Sequence, residues 1–197
     1  MSDVPGELAA PVDAGDRVAA SPEASREAFA ALLTACWDRA YRLAYHLAGR
    51  RPDAEDLLQQ AVEEAWRAFG RFQPGTRFDS WLFRIIHNSY IDRVRRDRRR
   101  RMFSLDDLTA ERAGTSDDPA AAADGLLDGP VLRALQLLPP PFRAVVVLVD
   151  LEGLSYEEAA AVLRCPVGTV RSRLHRARLA LREWLRPYVD AVRRGGL

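Results

Sequence analysis

From Ser155 to Arg186 the sequence reads as two helices joined by a turn. Ser155 followed three residues later by Glu158 is a capping box, in which each side chain satisfies the other's backbone N–H. The helix it opens runs to Leu163, Arg164-Cys165-Pro166 forms a turn, and a second helix runs from Thr169 to about Leu185. On that second helix Val170, Leu174, Ala177 and Leu181 recur at helical spacing and form an inward face. Arg171, Ser172, His175 and Arg176 are left outward near its N-terminus. Short helix, tight turn and longer basic helix make a helix-turn-helix, the layout that places its second helix in the major groove of duplex DNA.

The outward side chains suit that groove. Arginine bonds guanine O6 and N7 together, and serine bonds several base edges. Thr169, with the helix N-terminal amides, suits a phosphate, and Arg173 and Arg178 on the flanks suit phosphates too. A basic helix face is commonly only a solvated face. Here the charge coincides with a capped helix pair of the right lengths, and DNA reading is the stronger account. His175 has no second ligand beside it, so a metal is not expected.

Net charge argues weakly against nucleic acid, at +1 overall, but the distribution reverses that. Every basic side chain is arginine except the histidines. Arg93, Arg95, Arg96, Arg98, Arg99, Arg100 and Arg101 face Asp97 alone, and Arg164 to Arg186 is nearly as basic. Between them Asp106, Asp107, Glu111, Asp117, Asp118, Asp124 and Asp128 face only Arg112. Two basic surfaces are therefore separated by an acidic connector.

The remaining chain is helical in pattern. Ala, Leu, Arg and Glu dominate, and β-branched runs are few, so the expected class is all-α: two small helical domains joined by a flexible acidic linker. Residues 1–26 lack periodicity and read as a disordered tail. Phe29, Leu32, Leu33, Cys36, Ala40, Leu43, Ala44 and Leu47 form one helical stripe, broken at Gly49 and Pro52. Asp53 then serves as N-cap of a helix carrying Leu57, Leu58, Ala61, Val62, Ala65, Trp66 and Phe69. A third helix is expected from about Asp79 to Arg98, closing a domain over 27–101. Residues 102–129 read as linker, 130–187 as the second domain and 188–197 as a tail. In the second domain Val131 to Leu138 is a helix, and Pro139-Pro140-Pro141 opens another. The run Val145 to Val149 reads as a buried helix, although a strand has the same apolarity.

Several classes lack support. Cys36 and Cys165 make neither a disulfide framework nor a zinc set. No apolar run approaches spanning length, so no direct membrane insertion is expected, and the expected location is the cytoplasm. No clustered His, Asp and Glu set or nucleophile–base pair supports an enzyme such as a nuclease. No cofactor, metal or small-molecule substrate is expected.

Ser155-Tyr156-Glu157-Glu158-Ala159-Ala160 and Cys165-Pro166-Val167-Gly168-Thr169-Val170-Arg171-Ser172-Arg173-Leu174 closely resemble domain 4 of bacterial ECF (extracytoplasmic-function) sigma factors, with Leu138-Pro139 and Arg143 as its lead-in. Independently, Asp53-Ala54-Glu55-Asp56-Leu57-Leu58-Gln59 with Trp66 resembles the domain 2 helix that docks on RNA polymerase. Trp81-Leu82-Phe83-Arg84-Ile85-Ile86-His87-Asn88, Asp92 and Arg95-Arg96 resemble the segment that recognises and melts the −10 element. Gln60 and Val62 depart from the family's usual glutamate and aromatic.

The resemblance implies that Thr169, Arg171, Ser172, Arg173, His175, Arg176 and Arg178 contact the −35 duplex. It implies that Phe72, Arg84, Asn88, Asp92, Arg95 and Arg96 serve the −10 element, with a flipped-base pocket beside Phe72 and the 73–79 loop and Asn88 bonding the base edge. Phe72 serves equally as core, and plain core is the expectation for Trp81, Ile85 and Ile86. Asp53, Asp56, Leu57, Gln59, Gln60 and Glu63, on an acidic face shared with Glu55 and Glu64, are the implied core polymerase contacts. The implied partners are core RNA polymerase, through its β′ clamp helices and β flap, promoter DNA, and an anti-sigma factor. An autonomous helix-turn-helix regulator is the rival reading; it accounts for the C-terminal unit and not for the segment Trp81 to Arg96.

Overall fold

A computed structural model describes residues 22–103, 127 and 129–194. The readings of a tail over 1–21, of most of the linker and of the last three residues lie outside the described residues. The described elements are helical: α1 (Pro22–Ala48), α2 (Arg51–Ala68), α3 (Phe78–Phe103), α4 (Gly129–Leu137), α5 (Pro140–Val146), α6 (Tyr156–Leu163) and α7 (Val167–Arg193). A short 3-10 turn, Phe69–Arg71, follows α2.

α1, α2 and α3 pack on one another, as the apolar stripes require. Leu43, Leu47, Leu57, Leu82, Phe83 and Ile86 are fully buried where they meet. α1 starts at Pro22, so residues 22–26 are helical and not tail. Asp53 is not the N-cap of α2: Arg50 holds that position without a side-chain cap, and Pro52 occupies the first turn, where its missing N–H costs nothing. Asp53 is the third residue of the helix, near the positive end of its dipole, and its carboxylate pairs with Arg93 of α3.

In the second half the valine run is helical. α5 passes into one wider turn, Val147–Leu151, and Val145, Val147 and Leu148 are fully buried. The capping box at Ser155 is present: its hydroxyl accepts from Glu158 N–H at 3.1 Å, and its own N–H donates to Glu158 at 2.8 Å. Arg164, at φ 50°, closes α6 in the left-handed conformation, and Pro166 caps α7. α7 continues through Pro187 to Arg193, so part of the expected C-terminal tail is helix.

The two halves share one continuous apolar core. Arg143 of α5 donates to the Leu47 carbonyl at 2.8 Å and to the Tyr90 hydroxyl at 3.0 Å. Gln136 of α4 donates to the His46 carbonyl at 2.9 Å and lies against Gly49. Gly49 has φ 83°, a conformation that favours glycine, and a Cβ there would fall 2.4 Å from the Gln136 side chain and push it off the His46 carbonyl.

Candidate nucleic-acid interface

The helix-turn-helix is assembled as its residues dictate. Val170, Leu174 and Ala177 are buried, while Arg171, Ser172, His175 and Arg176 are exposed on one outward stretch of α7. Arg171 lies over the Tyr156 ring of α6, 5.8 Å from its centroid, a cation–π contact that steadies the guanidinium without engaging its N–H fork. The Ser172 hydroxyl donates to the Thr169 carbonyl at 3.1 Å and keeps its acceptor capacity. Two side chains differ from a free basic face. Arg178 is paired with Asp150, Nε to carboxylate 3.1 Å, and that hydrogen bond, followed by the attraction of the charge, raises its pKa. Arg173 is half-buried and close enough to α3 to act on His87.

The first half carries a second surface, on α3. Arg84, Asn88, Asp92, Arg95 and Arg96 succeed one another at three- or four-residue steps and share a helical face. Asp92 pairs with Arg95 at 3.4 Å, so the carboxylate in this basic stretch orients an arginine. Beside the start of α3 is a cavity of about 340 Å³. Phe72, Trp81 and Arg84 line it, with Arg71, Gln73, Thr76, Arg77 and Ser80. Phe72 stacks on Phe69 with centroids 5.9 Å apart and meets Phe78 at 5.4 Å and Trp81 at 5.3 Å. An aromatic wall with guanidinium groups at its mouth fits a stacked base and its phosphate.

The cavity corrects two readings. Trp81 is half-buried and forms part of the wall, so it is not plain core; Ile86 is core, and Ile85 is half-buried. Asn88 does not line the cavity but lies one turn beyond Arg84 on exposed surface, so the structure joins Phe72 with Arg84 and leaves Asn88 outside. Sequence reading also missed Arg71 and Arg77, whose signal was two arginines bracketing an aromatic loop.

Asp79 anchors the cavity rim. Burial acts to raise its pKa, but hydrogen bonds from Arg77, the Ser80 N–H and Arg39 prevail and hold it at about 2.

A third surface lies on α1 and α2. α1 and α2 enclose a groove of about 830 Å³, floored by Trp37, Tyr41, Leu58 and Val62 and edged by Asp38, Arg42, Arg51, Glu55, Gln59 and Glu63. Of the residues expected to meet polymerase, Asp56, Gln59 and Glu63 are exposed and Gln60 is half-buried. Gln59 is 3.4 Å from Glu63, Gln60 bonds Glu64 at 3.0 Å, and Glu63 pairs with Arg67. Leu57 is 1 % exposed and belongs to the core, because its position on α2 faces α1 and α3. Asp53 and Glu64 are likewise drawn inward, to Arg93 and to the Ser89 hydroxyl at 3.1 Å. Trp37 and Tyr41, which lie off the apolar stripe of α1, were not foreseen.

Among the described residues no group of three His, Cys, Asp or Glu side chains is placed to hold a metal ion, and no helix is long and apolar enough to cross a membrane.

Comparison with known proteins follows the same division. Residues 32–100 match the family described as Sigma-70 region 2, and residues 129–181 match Sigma-70 region 4. Over 180 residues the chain is 33% identical to the ECF RNA polymerase sigma factor SigW of Bacillus subtilis, covering 86% of this chain and 95% of that protein. The chain belongs to the ECF RNA polymerase sigma factors.

This sigma factor is also 48% identical over 149 residues to the ECF RNA polymerase sigma factor SigE of Mycolicibacterium smegmatis, covering 75% of this chain but 58% of that protein. Its fold resembles that of the sigma factor RpoE in complex with the anti-sigma factor NepR from Bartonella quintana: TM-score 0.67, 30% identity, 82% of this chain and 96% of that one. It also resembles CnrH in complex with the cytosolic domain of CnrY: TM-score 0.58, 29% identity, 82% and 90% of the two chains. Family membership makes the protein an alternative sigma factor, a factor of transcription initiation.

Proposed function

We propose that this sigma factor docks on core RNA polymerase through the α1–α2 groove and the exposed acids of α2, reads the −35 duplex with α7 and melts the −10 element with α3 and the aromatic cavity. The observation that carries this reading is the presence, on one chain, of a duplex reader with free base-facing side chains and a separate aromatic cavity sized for an unstacked base. The working division is 27–101 for the −10 element and polymerase, and 130–187 for the −35 element.

The base-facing set on α7 is Arg171, Ser172, His175 and Arg176, with Thr169, Arg173 and Arg178 towards phosphates. At −10, Phe72 and Trp81 stack a base that unpairing has freed, and base–aromatic stacking contributes about 1–3 kcal/mol per base. That offsets the few kcal/mol needed to extrude the base. Arg84, Arg95 and Arg96 hold the strand's phosphates, with Asn88 and Asp92 on the same face. None of these groups makes or breaks a covalent bond; their work is binding.

Anti-sigma control is part of the proposal, supported by the two similar structures: one is a complex with an anti-sigma factor, the other a complex with the cytosolic domain of CnrY. An autonomous regulator is less well supported, because it leaves the region 2 match without a use. Transcription in vitro with core polymerase, on promoter DNA selected from a genomic pool, tests the whole reading. Specific initiation that requires both the chain and core polymerase is expected. Operator binding with no effect on polymerase would instead establish the autonomous regulator.

A further inference from the structure

The cavity beside Phe72 is not bounded by the first half alone: Ala161 and Val162 of α6 form part of its wall. Arg77 on its rim is ion-paired with Glu158 of α6, and α6 packs along α3. With the halves in this arrangement the helix-turn-helix sits over the site that a melted strand would enter, so the two DNA surfaces cannot serve two separated promoter elements at once.

One of the contacts that join the halves is unusual in its charge. Glu152, just before α6, has a side chain only 1% exposed. Its carboxylate lies 3.4 Å from Arg39 and 3.6 Å from Arg42, both on α1, and neither oxygen has a well-formed hydrogen bond. Arg39 also donates to the Glu152 carbonyl at 3.1 Å and is tied to Asp79. Arg42 lacks those extra ties, and of the two arginines it alone lines the α1–α2 groove. A buried carboxylate closed by two long ion pairs tolerates the loss of either poorly, since the charge left behind is undercompensated.

We propose that Arg42 couples the α1–α2 groove to the −10 cavity: a polymerase helix seated in the groove, with a carboxylate reaching Arg42, withdraws it from Glu152 and releases α6 from the cavity. The coupling rests on the docking reading above. The occupant is a helix because the groove is a trough between two helices with an aromatic and aliphatic floor, and Arg42, held to Glu152 only at 3.6 Å, stands on its edge within reach of an acid that the occupant brings. In the free chain the closed state masks the cavity, so apparent affinity for a −10 strand falls with the fraction of open molecules.

The test uses the full chain without polymerase. Affinity for a fluorescent single-stranded oligonucleotide carrying the selected −10 element is measured by anisotropy, and the radius of gyration by small-angle scattering. Arg42→Gln is expected to expand the chain and to tighten strand binding about tenfold, as when the open fraction rises from about one in twenty to about one in two. Arg42→Lys, which keeps the cation, is expected to stay closed. Adding Glu152→Gln to Arg42→Gln is expected to restore closure, because no buried charge is then left uncompensated. No change in Arg42→Gln, or a double variant as open as the single, would overturn the proposal. In a further arm a hairpin peptide of the β′ clamp helices is added to the wild-type chain. Binding that tightens strand affinity supports the coupling, and binding without that effect overturns it. Failure of the hairpin to bind overturns the docking reading and, with it, the groove as the route of release, leaving the Glu152 latch to the variants.

Discussion

Arg143 and Tyr90 meet 3.0 Å apart across the junction of the two halves, the guanidinium donating to the phenol oxygen. The same guanidinium donates to the carbonyls of Leu47 at 2.8 Å, Gln136 at 2.6 Å and Leu138 at 3.2 Å. Burial lowers the Arg143 pKa, with the attraction of Tyr90 acting the other way, but arginine remains charged at any ordinary pH. Arg143→Ala strands three carbonyls in a dry interface and is expected to cost about 2–4 kcal/mol. Tyr90→Phe removes one acceptor among several and is expected to cost about 1 kcal/mol. Urea unfolding of the two variants checks the order; equal losses would contradict it.

Leu57 and Asp56 are neighbours in sequence with opposite fates. Leu57→Ala opens a cavity between the first three helices and is expected to cost about 2–5 kcal/mol of stability. Asp56→Ala is expected to leave the melting temperature within about a degree of wild type while weakening association with core polymerase, because an exposed acid contributes little to folding. Thermal melts and polymerase pull-down on both variants separate packing from docking.

On α7, Arg171→Ala is expected to relax base preference at one position of the −35 element, with a loss of about 1–3 kcal/mol there if the contact is bidentate. Arg178→Ala is expected to weaken all sequences alike, and less, since its guanidinium must first leave Asp150. Competition among duplexes with single base changes measures both. Unchanged discrimination in Arg171→Ala would remove that side chain from base reading.

The basic face of α3 makes a salt-dependence prediction. Replacing Arg95, Arg96 and Arg99 by glutamine is expected to flatten the plot of log affinity against log salt by about 0.7 for each single-strand phosphate that is no longer neutralised. The three side chains are exposed. A slope identical to wild type would take them off the phosphate-binding face.

His46 is buried, and desolvation, reinforced by Arg42, lowers its pKa to about 4; burial does the same to His87, with Arg173 adding to it and Asn88 opposing. A lowered folded pKa means that the unfolded chain takes up the proton first. Stability is therefore full above about pH 6.5 and falls as the pH drops towards 4. Between pH 7 and pH 5 His46 alone is expected to contribute a loss of about 2 kcal/mol. His46→Gln, whose amide oxygen still accepts the Leu127 N–H now 3.4 Å from the imidazole, is expected to lose that share of the pH slope in urea unfolding.

Spacings of three and four residues and local hydrogen bonding specify the helices, the capping box at Ser155, the turn at Arg164–Pro166 and the outward set on α7. The loop beside Phe72, where the aromatic cavity lies, was indicated by the family resemblance and not by local pattern. Packing between distant elements is what turns Asp53 and Glu64 inward to α3, makes Leu57 core, and joins Trp81 rather than Asn88 to Phe72 at the cavity. It alone placed Glu152 between Arg39 and Arg42 and brought α6 over the cavity beside Phe72. Separation along the chain accounts for the difference. Helical periodicity says which face of a helix is apolar, but an acidic or aromatic side chain at its edge takes its role from partners 25 to 113 residues away, and no local pattern encodes those.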